Sequence, residues 1–542
     1  MLAAPAGPVN KTRTHGPARF TPDRAACPAL QLYCRAVLGC LAFLGSIIAA
    51  PASAELLRIL HTNDIHSHLE PFQSVSGDTM GGLARLATLI EAERQDMSAC
   101  LLLDGGDLFQ GTPFFNFFHG AAEVRCLSEM AYDAMVLGNH ELDEGAFNVW
   151  KQMHDHAGFA FLGSNVEVKS WVKTDPIDMS DSSWVPLGRP YILARAGNLR
   201  IGLIGVTTED LPWIVSPGRL ENVRVQPIID TVRRLMTDLR PRADLVVVLS
   251  HSGVPADSLL ALAVPGIDVI VGGHSHTALE TAVLVRNPAN DNGIGGTLIV
   301  QAGQWGQFLG RLDLDVADKK INSWQSRLLP VTSKLREDRK IRTLVGLYAD
   351  TLGPLVNEVL TECRTSMFNA DARLRETSLG NLITDLMRQS GPVDIAVQNG
   401  GGLRGDLVAG PVRVRDIFTI LPFDNTLVEL TLDGRGVLCL LEESVVKVGD
   451  GGFLSVSGLT FRATSDGRVA DVHVGERPLD PDASYRLVTN NFTASGGDGF
   501  TAFLRARKRM DTGVLVRDAV IERLRGASPL TAPLLGRIRY SD

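Results

Sequence analysis

Five short apolar runs in the first half of the chain each stop at side chains able to hold a metal ion, and that recurrence constrains the fold more than any other feature. Leu57-Arg58-Ile59-Leu60 leads into His61-Thr62-Asn63-Asp64-Ile65-His66, Leu101-Leu102-Leu103 into Asp104-Gly105-Gly106-Asp107, and Met135-Val136-Leu137 into Gly138-Asn139-His140-Glu141. Val246-Val247-Val248-Leu249 runs into Ser250-His251, and Val269-Ile270-Val271 into Gly272-Gly273-His274-Ser275-His276. Further runs at Ile201 to Val206 and Thr297 to Val300 carry the pattern on to about Leu329. Short, continuous apolar runs read as strands covered on both faces, which means α/β layering. Ligands of open α/β sheets bind beyond the carboxyl ends of the strands, so the five loops can converge on one crevice.

The residue types say what that crevice can hold. Imidazoles, carboxylates and one amide oxygen suit zinc, manganese or iron, and the donors outnumber the needs of one tetrahedral ion, so two divalent metal ions are expected. Seven of the chain's 12 histidines follow these runs. Glycines at 105, 106, 138, 272 and 273 allow the tight turns that bring side chains inward. The formal charge is −8, and before residue 55 five basic residues stand against one acid, so the remainder is more acidic still. Such a surface is a poor nucleic-acid binder, and a small anionic substrate needs the metal or a local arginine cluster. Neither a dinucleotide-binding nor a P-loop glycine motif occurs at a strand–helix junction, which disfavours NAD and ATP chemistry.

Residues 1–54 read as a secretory leader: Arg35 precedes the apolar run Ala36 to Ala50, and Ala52-Ser53-Ala54 supplies a small-residue cleavage site before Glu55. About 35 residues before the apolar run make an unusually long n-region. The run is short of the roughly 20 residues that span a bilayer, so a periplasmic or secreted protein free of the membrane after cleavage is expected. Cys100, Cys126, Cys363 and Cys439 remain beyond the leader, with no CxxC pair; an oxidising compartment permits a Cys100–Cys126 disulfide without requiring one. Cys100, in an apolar run, reads as a buried small hydrophobe. At 542 residues the chain should hold more than one core. Residues 55–330 form the first domain on this reading, the charged stretch from Lys334 to Lys340 starts a linker helix within 331–361, and 362–542 form a second domain with a helix at Ser378 to Gln389.

The motifs DxH, GD, GNHE, SHSG and GHSH, in this order, resemble the calcineurin-like metallophosphoesterases. Together with Asp371-Ala372-Arg373-Leu374-Arg375, Asn399-Gly400-Gly401-Gly402-Leu403-Arg404, Leu421-Pro422-Phe423-Asp424-Asn425 and Asn491-Phe492 through Gly496-Gly497-Asp498-Gly499, the set is similar to the periplasmic 5′-nucleotidase and UDP-sugar hydrolase family over roughly residues 55 to 540. The resemblance implies a four-layer α/β/β/α metallophosphoesterase sandwich, a linker helix and an α+β substrate-binding domain. It implies one ion on Asp64, His66, Asp107 and His276 and a second on Asp107, Asn139, His251 and His274. His276 stands where many relatives carry Gln or Asn. His140, oriented by Asp143 three residues on, would stabilise the transition state and assist the leaving group. Arg373, Arg404 and Arg375 would bind phosphate, Phe423 and Phe492 would sandwich a nucleobase, and Asn399 and Asp498 would supply polar contacts, Asp498 to the ribose. His61 and His68 read as structural supports, and His119, His154, His156 and His473 as bystanders.

The expected activity is hydrolysis of nucleoside 5′-monophosphates, with nucleoside di- and triphosphates and UDP-sugars as further candidates. A 2′,3′-cyclic phosphodiesterase with 3′-nucleotidase activity, a thiosulfohydrolase of the sulfur-oxidation type, and a nucleotide-binding receptor without turnover are the alternatives. Oligomeric state is left open.

Overall fold

The computed structural model describes residues 54–73, 78–95, 97–174, 183–464 and 466–540. The expected leader lies outside the described residues apart from Ala54. Among the described residues no helix is long and apolar enough to cross a membrane.

Two six-stranded sheets form the first domain. In one, Glu55–Thr62, Ala99–Asp104, Ala134–Val136 and Ala160–Leu162 run parallel in that order, and Phe308–Ala317 and Lys320–Pro330 continue the other edge antiparallel. In the other, Leu199–Thr207, Leu245–His251, Val269–Gly272 and Gly296–Val300 run parallel between antiparallel edges at Tyr191–Ala196 and Val283–Arg286. Each apolar run divides its side chains between two faces, as the period of two in a strand requires. Val247 and Leu249 point into the core between the sheets with Leu57, Ile59 and Leu103. Val246 and Val248 point the other way, against Val232, Leu235 and Leu239 of the helix Ile228–Leu239. Helices Leu83–Arg94, Ala121–Glu129 and Ala146–His156 cover the outer face of the first sheet. The four-layer α/β/β/α order of the first domain is thereby met.

The sheets meet closely at Gly205. A Cβ there would lie 2.3 Å from Leu162 Cβ and 3.0 Å from Val136 Cγ2.

The link to the second domain begins later than the charge pattern suggested. Lys334 to Asp338 are not helical; Asp338 caps the helix Arg339–Val356 by accepting from the Ile341 N–H at 2.9 Å. A capping aspartate ends the extended segment and starts the helix in one step. Ile341, Val345, Tyr348, Leu352 and Val356 make one buried stripe. That stripe belongs to a hydrophobic cluster shared with Leu83 and Leu127 of the first domain and Leu379, Ile417 and Val520 of the second. Tyr348 meets the Phe118 ring edge-on at 4.7 Å and receives a hydrogen bond from Arg125 at 2.9 Å.

In the second domain, five strands are ordered Leu454–Ser457, Ile395–Asn399, Ser484–Asn490, Thr426–Asp433, Lys508–Leu515, with a four-stranded sheet beside them. The helix Ser378–Gln389 has the expected bounds, because the Thr377 hydroxyl accepts from the Gly380 N–H and the buried stripe runs from Leu379 to Met387. The four cysteines among the described residues are free thiols; Cys100 is half-buried rather than buried, and it does not pair with Cys126.

Gly205→Val should overpack the contact between the sheets and destabilise the protein by about 1–3 kcal/mol. A lower midpoint in chemical or thermal denaturation is the expected outcome.

Candidate active site

Every loop carrying an expected ligand leaves the carboxyl end of a parallel strand. Asp64 and His66 follow Glu55–Thr62, Asp107 follows Ala99–Asp104, and Asn139 and His140 follow Ala134–Val136 in the first sheet. His251 ends Leu245–His251, and His274 and His276 follow Val269–Gly272 in the second. The crevice is therefore built where the same ends of both sheets come together.

Asp64, His66 and His276 place a donor atom each within one cluster, and Asp107, His251 and His274 do so in another. His276 Nε2 lies 3.3 Å from Asp64 Oδ1 and 3.0 Å from His66 Nε2. His251 Nε2 lies 3.1 Å from Asp107 Oδ2, and His274 Nδ1 lies 2.9 Å from Asn139 Oδ1. Asp107 Oδ2 is also 3.9 Å from His66 Nε2, between the two groups.

The donor set fits a pair of divalent ions. His66 Nδ1 lies 3.1 Å from the Gln110 carbonyl and His251 Nδ1 2.7 Å from the Gly105 carbonyl. Donation there fixes each ring's orientation and turns Nε2 toward the cluster, where it offers a lone pair whenever the ring is neutral. His251 Nε2 is buried and faces Asp107 Oδ2. Burial pushes the His274 pKa down to about 3, which keeps that imidazole neutral. Burial would raise Asp107, but His251 and His140 outweigh it and hold the carboxylate well below its usual range. Burial likewise opposes charge on His251, yet Asp107 overrides it and lifts the pKa to about 10.

Two buried side chains with no assigned role in the sequence hold these loops. The Glu141 carboxylate accepts from the N–H groups of Gly138 at 2.6 Å, Leu108 at 2.8 Å, and Asp107 and Phe109 at 3.1 Å each. Gln301 donates to the Gly273 carbonyl at 2.5 Å and accepts from Ser275 Oγ at 2.9 Å and Thr277 N at 2.8 Å. It thus orders the loop that presents His274 and His276. Glu141 was visible only as the last letter of GNHE, and Gln301 only as a polar residue ending an apolar run. Asp64, His66, Asp107, His274 and His276 all take positive φ, from 49° to 75°. Such backbone is strained for side chains other than glycine and persists only where its surroundings impose it.

His140 Nδ1 lies 2.8 Å from Asp143 Oδ2, which also accepts from Gln110 at 3.1 Å. Burial lowers the His140 pKa, but Asp143 and Asp107 outweigh it and raise the value above the ordinary one. His68 bonds the His66 carbonyl at 2.7 Å and stacks on Trp305; His61 is buried against Gly310. His119 pairs with Glu144 at the surface.

The second domain reaches into the centre through Arg404, whose Nη2 lies 3.2 Å from His66 Nε2. Burial, then Arg373, lowers its pKa to about 10, so the guanidinium stays charged near neutrality. Asn116 of the first domain donates to the Pro422 carbonyl at 2.8 Å, beside Phe423. A cavity of about 290 Å³ lies between the domains. On one side it is lined by Asp107, Asn139, His140, Asp143, His274 and His276, and on the other by Arg373, Asn399, Arg404, Phe423, Phe492 and Asp498. Asn399 donates to Asp498 at 2.7 Å, and burial pushes Asp498 up to about 6. Arg375 is not brought in: its side chain is exposed and paired with Asp371 at 2.6 Å. Its neighbour two residues back takes the inward position instead. Ile214, Ser216 and Arg219 of the first domain also line the cavity, from a segment that carried no motif.

Comparison with known proteins agrees with this arrangement. Residues 57–278 match the family model for calcineurin-like phosphoesterase, and residues 356–505 that for the 5′-nucleotidase C-terminal domain. The human 5′-nucleotidase is 30% identical over 557 residues, covering 92% of this chain and 93% of that protein. A 5′-nucleotidase of Diplobatis ommata is 30% identical, covering 90% of each. The chain belongs to the 5′-nucleotidase family. As such it is a hydrolase of phosphoric esters. A 5′-nucleotidase precursor from Thermus thermophilus superposes with a TM-score of 0.81 at 35% identity, covering 90% of this chain and 99% of that one. The trifunctional nucleotide phosphoesterase YfkN of Bacillus subtilis is 29% identical, but the chain, 89% covered, spans only 35% of its length. The sulfate thiohydrolase SoxB of Thermus thermophilus, at 19% identity and a TM-score of 0.73 over 89% of this chain and 96% of that one, shares the fold alone.

In this 5′-nucleotidase-family chain, Glu141→Gln turns an NH₂ toward N–H groups that need an acceptor. Divalent-ion affinity should fall about 10- to 100-fold in a metal titration. Because a ligand imidazole must be neutral, ion uptake at pH 7 should also release a proton from His251, and apparent affinity should rise with pH. Calorimetry in buffers of different ionisation enthalpy measures that release.

Proposed function

We propose that the chain is an exported, dinuclear metal-dependent phosphoesterase that hydrolyses nucleoside 5′-monophosphates to nucleoside and phosphate. Residues 55–330 are the catalytic domain, 331–361 the linker and 362–542 the substrate-binding domain, and residues 1–54 are the leader. The observation that carries this reading is the single cavity shared by the ligand cluster, two arginines and two phenylalanines. Nucleoside di- and triphosphates and UDP-sugars carry the same recognition elements and are further candidate substrates.

Asp64, His66, Asp107 and His276 would hold one ion, and Asp107, Asn139, His251 and His274 the other. When bound, zinc-, manganese- or similar ions supply the Lewis acidity that activates water and neutralises phosphoryl oxygens. The residues of the chain do the rest. Arg373 and Arg404 hold the phosphoryl oxygens as charged donors. His140, oriented by Asp143 and kept protonatable by it, gives a proton to the departing O5′. Phe423 and Phe492 stack the base, while Asp498 bonds the ribose hydroxyls and Asn399 adds a polar contact. Stacking gives affinity with little base discrimination, so turnover across adenine, guanine and uracil nucleotides follows.

Phosphate release from AMP and UMP by the chain from Glu55 onward should depend on Mn²⁺ and cease with EDTA. Release confined to 3′-AMP or 2′,3′-cyclic AMP would move the assignment to the cyclic phosphodiesterase. His140→Ala should lower kcat by about 10²- to 10⁴-fold with the metal content unchanged. Phe423→Ala should raise KM for UMP about 5- to 150-fold, from the ~1–3 kcal/mol of one stacking contact, and spare p-nitrophenyl phosphate.

A further inference from the structure

A second cavity, of about 740 Å³, opens on the far side of the same centre. His276, Arg373 and Arg404 line both cavities. A phosphoryl group held by Arg373 and Arg404 beside His276 has room on two sides. The first side leads to Phe423, Phe492 and Asp498. A phosphomonoester fills that side and leaves the other to solvent.

The far cavity is furnished for an organic group. Trp305 lines it with one indole face stacked on His68, ring centroids 4.7 Å apart and planes at 16°, and with the Phe72 ring edge-on at 5.3 Å. Trp305 sits at φ 61°, and its N–H donates to the Asp64 carbonyl at 2.7 Å. The aromatic platform is thus tied to the loop that carries Asp64. Gln304, Gln307 and Asn369 add carboxamides around it. A flat aromatic face with carboxamides, each offering a donor and an acceptor, matches the face and edge of a nucleobase.

We infer that the centre also hydrolyses dinucleoside phosphodiesters, with the nucleoside on the 5′-oxygen side in the first cavity and the nucleoside on the 3′-oxygen side against Trp305. Water oxygen bonds to phosphorus and the P–O5′ bond breaks. O5′ takes a proton and leaves as a nucleoside, and the product retained is a nucleoside 3′-phosphate. One water is consumed and nothing is oxidised or reduced. The inference rests on the 5′-nucleotide orientation proposed above.

The test compares uridylyl-(3′→5′)-uridine, UMP and UDP-glucose on the metal-loaded protein from Glu55 onward, with products resolved by chromatography. The expected products of the dinucleotide are uridine and uridine 3′-phosphate. Trp305→Ala should lower kcat/KM for the dinucleotide at least tenfold and change that for UMP less than twofold. Ala370→Trp, which fills the far cavity from an exposed position, should do the same without touching the indole or its backbone bond. Turnover of UMP with an inert dinucleotide overturns the inference and leaves the nucleotidase reading standing, whereas an inert UMP removes that reading itself. Release of uridine 5′-phosphate overturns the assigned orientation. Equal losses on both substrates in both variants reduce the cavity to a solvent route, and a Trp305 effect confined to UDP-glucose replaces the second nucleoside by a hexose.

Discussion

Four main-chain N–H groups from two separate loops converge on one buried carboxylate, that of Glu141. The loop after Ala99–Asp104 presents Asp107 between the two ligand groups, and the loop after Ala134–Val136 presents Asn139 and His140. A carboxylate is suited to this because it has two oxygens and about four lone-pair directions, and hydrogen bonds to charged acceptors are stronger than neutral ones. Gln301 does for the second sheet what Glu141 does for the first. Between them they allow ligands from two separate sheets to share one centre without a covalent tie.

The second constraint is the seam between the domains. The linker helix is a packed member of the core rather than a tether, with Tyr348 held by Phe118 and Arg125. The same seam carries Arg404 onto His66 and sets Phe423 beside His140, ring centroids 5.6 Å apart. On the proposed reading, metal chemistry and substrate recognition come from different halves of the chain and share one chamber only through this packing. An acidic protein thereby concentrates positive charge where an anionic substrate needs it.

Much of the catalytic half was legible in the sequence because its signals are local. An apolar run followed by a ligand and a glycine specifies strand, turn and donor within ten residues, and the structure brings all seven expected ligands together. The helix Ser378–Gln389 was legible for the same reason, since its cap at Thr377 and its buried stripe are both local. What stayed hidden depends on partners distant in sequence. Arg373 and Arg375 are alike in type and lie two apart, yet only the turn after Asp371 decides which faces the cavity, and Asp371 itself captures Arg375. Gln301 has meaning only beside a loop 24 to 28 residues earlier, and Ile214 to Arg219 only once the second domain is docked. The late start of the linker helix reflects a capping choice at Asp338 that charge content does not report.

The positive φ angles of five expected ligand residues bear on how such a centre is inherited. Outside glycine, the residues that best tolerate left-handed backbone are Asn, Asp and His. Those three are also the nitrogen and oxygen donors that borderline and hard divalent ions accept. At these loop positions the conformational alphabet and the coordination alphabet are nearly the same set of letters. A lineage drifting under selection for loop shape alone would keep sampling competent ligands there. Ion preference could then shift by single substitutions among Asn, Asp and His, with the backbone scaffold left undisturbed.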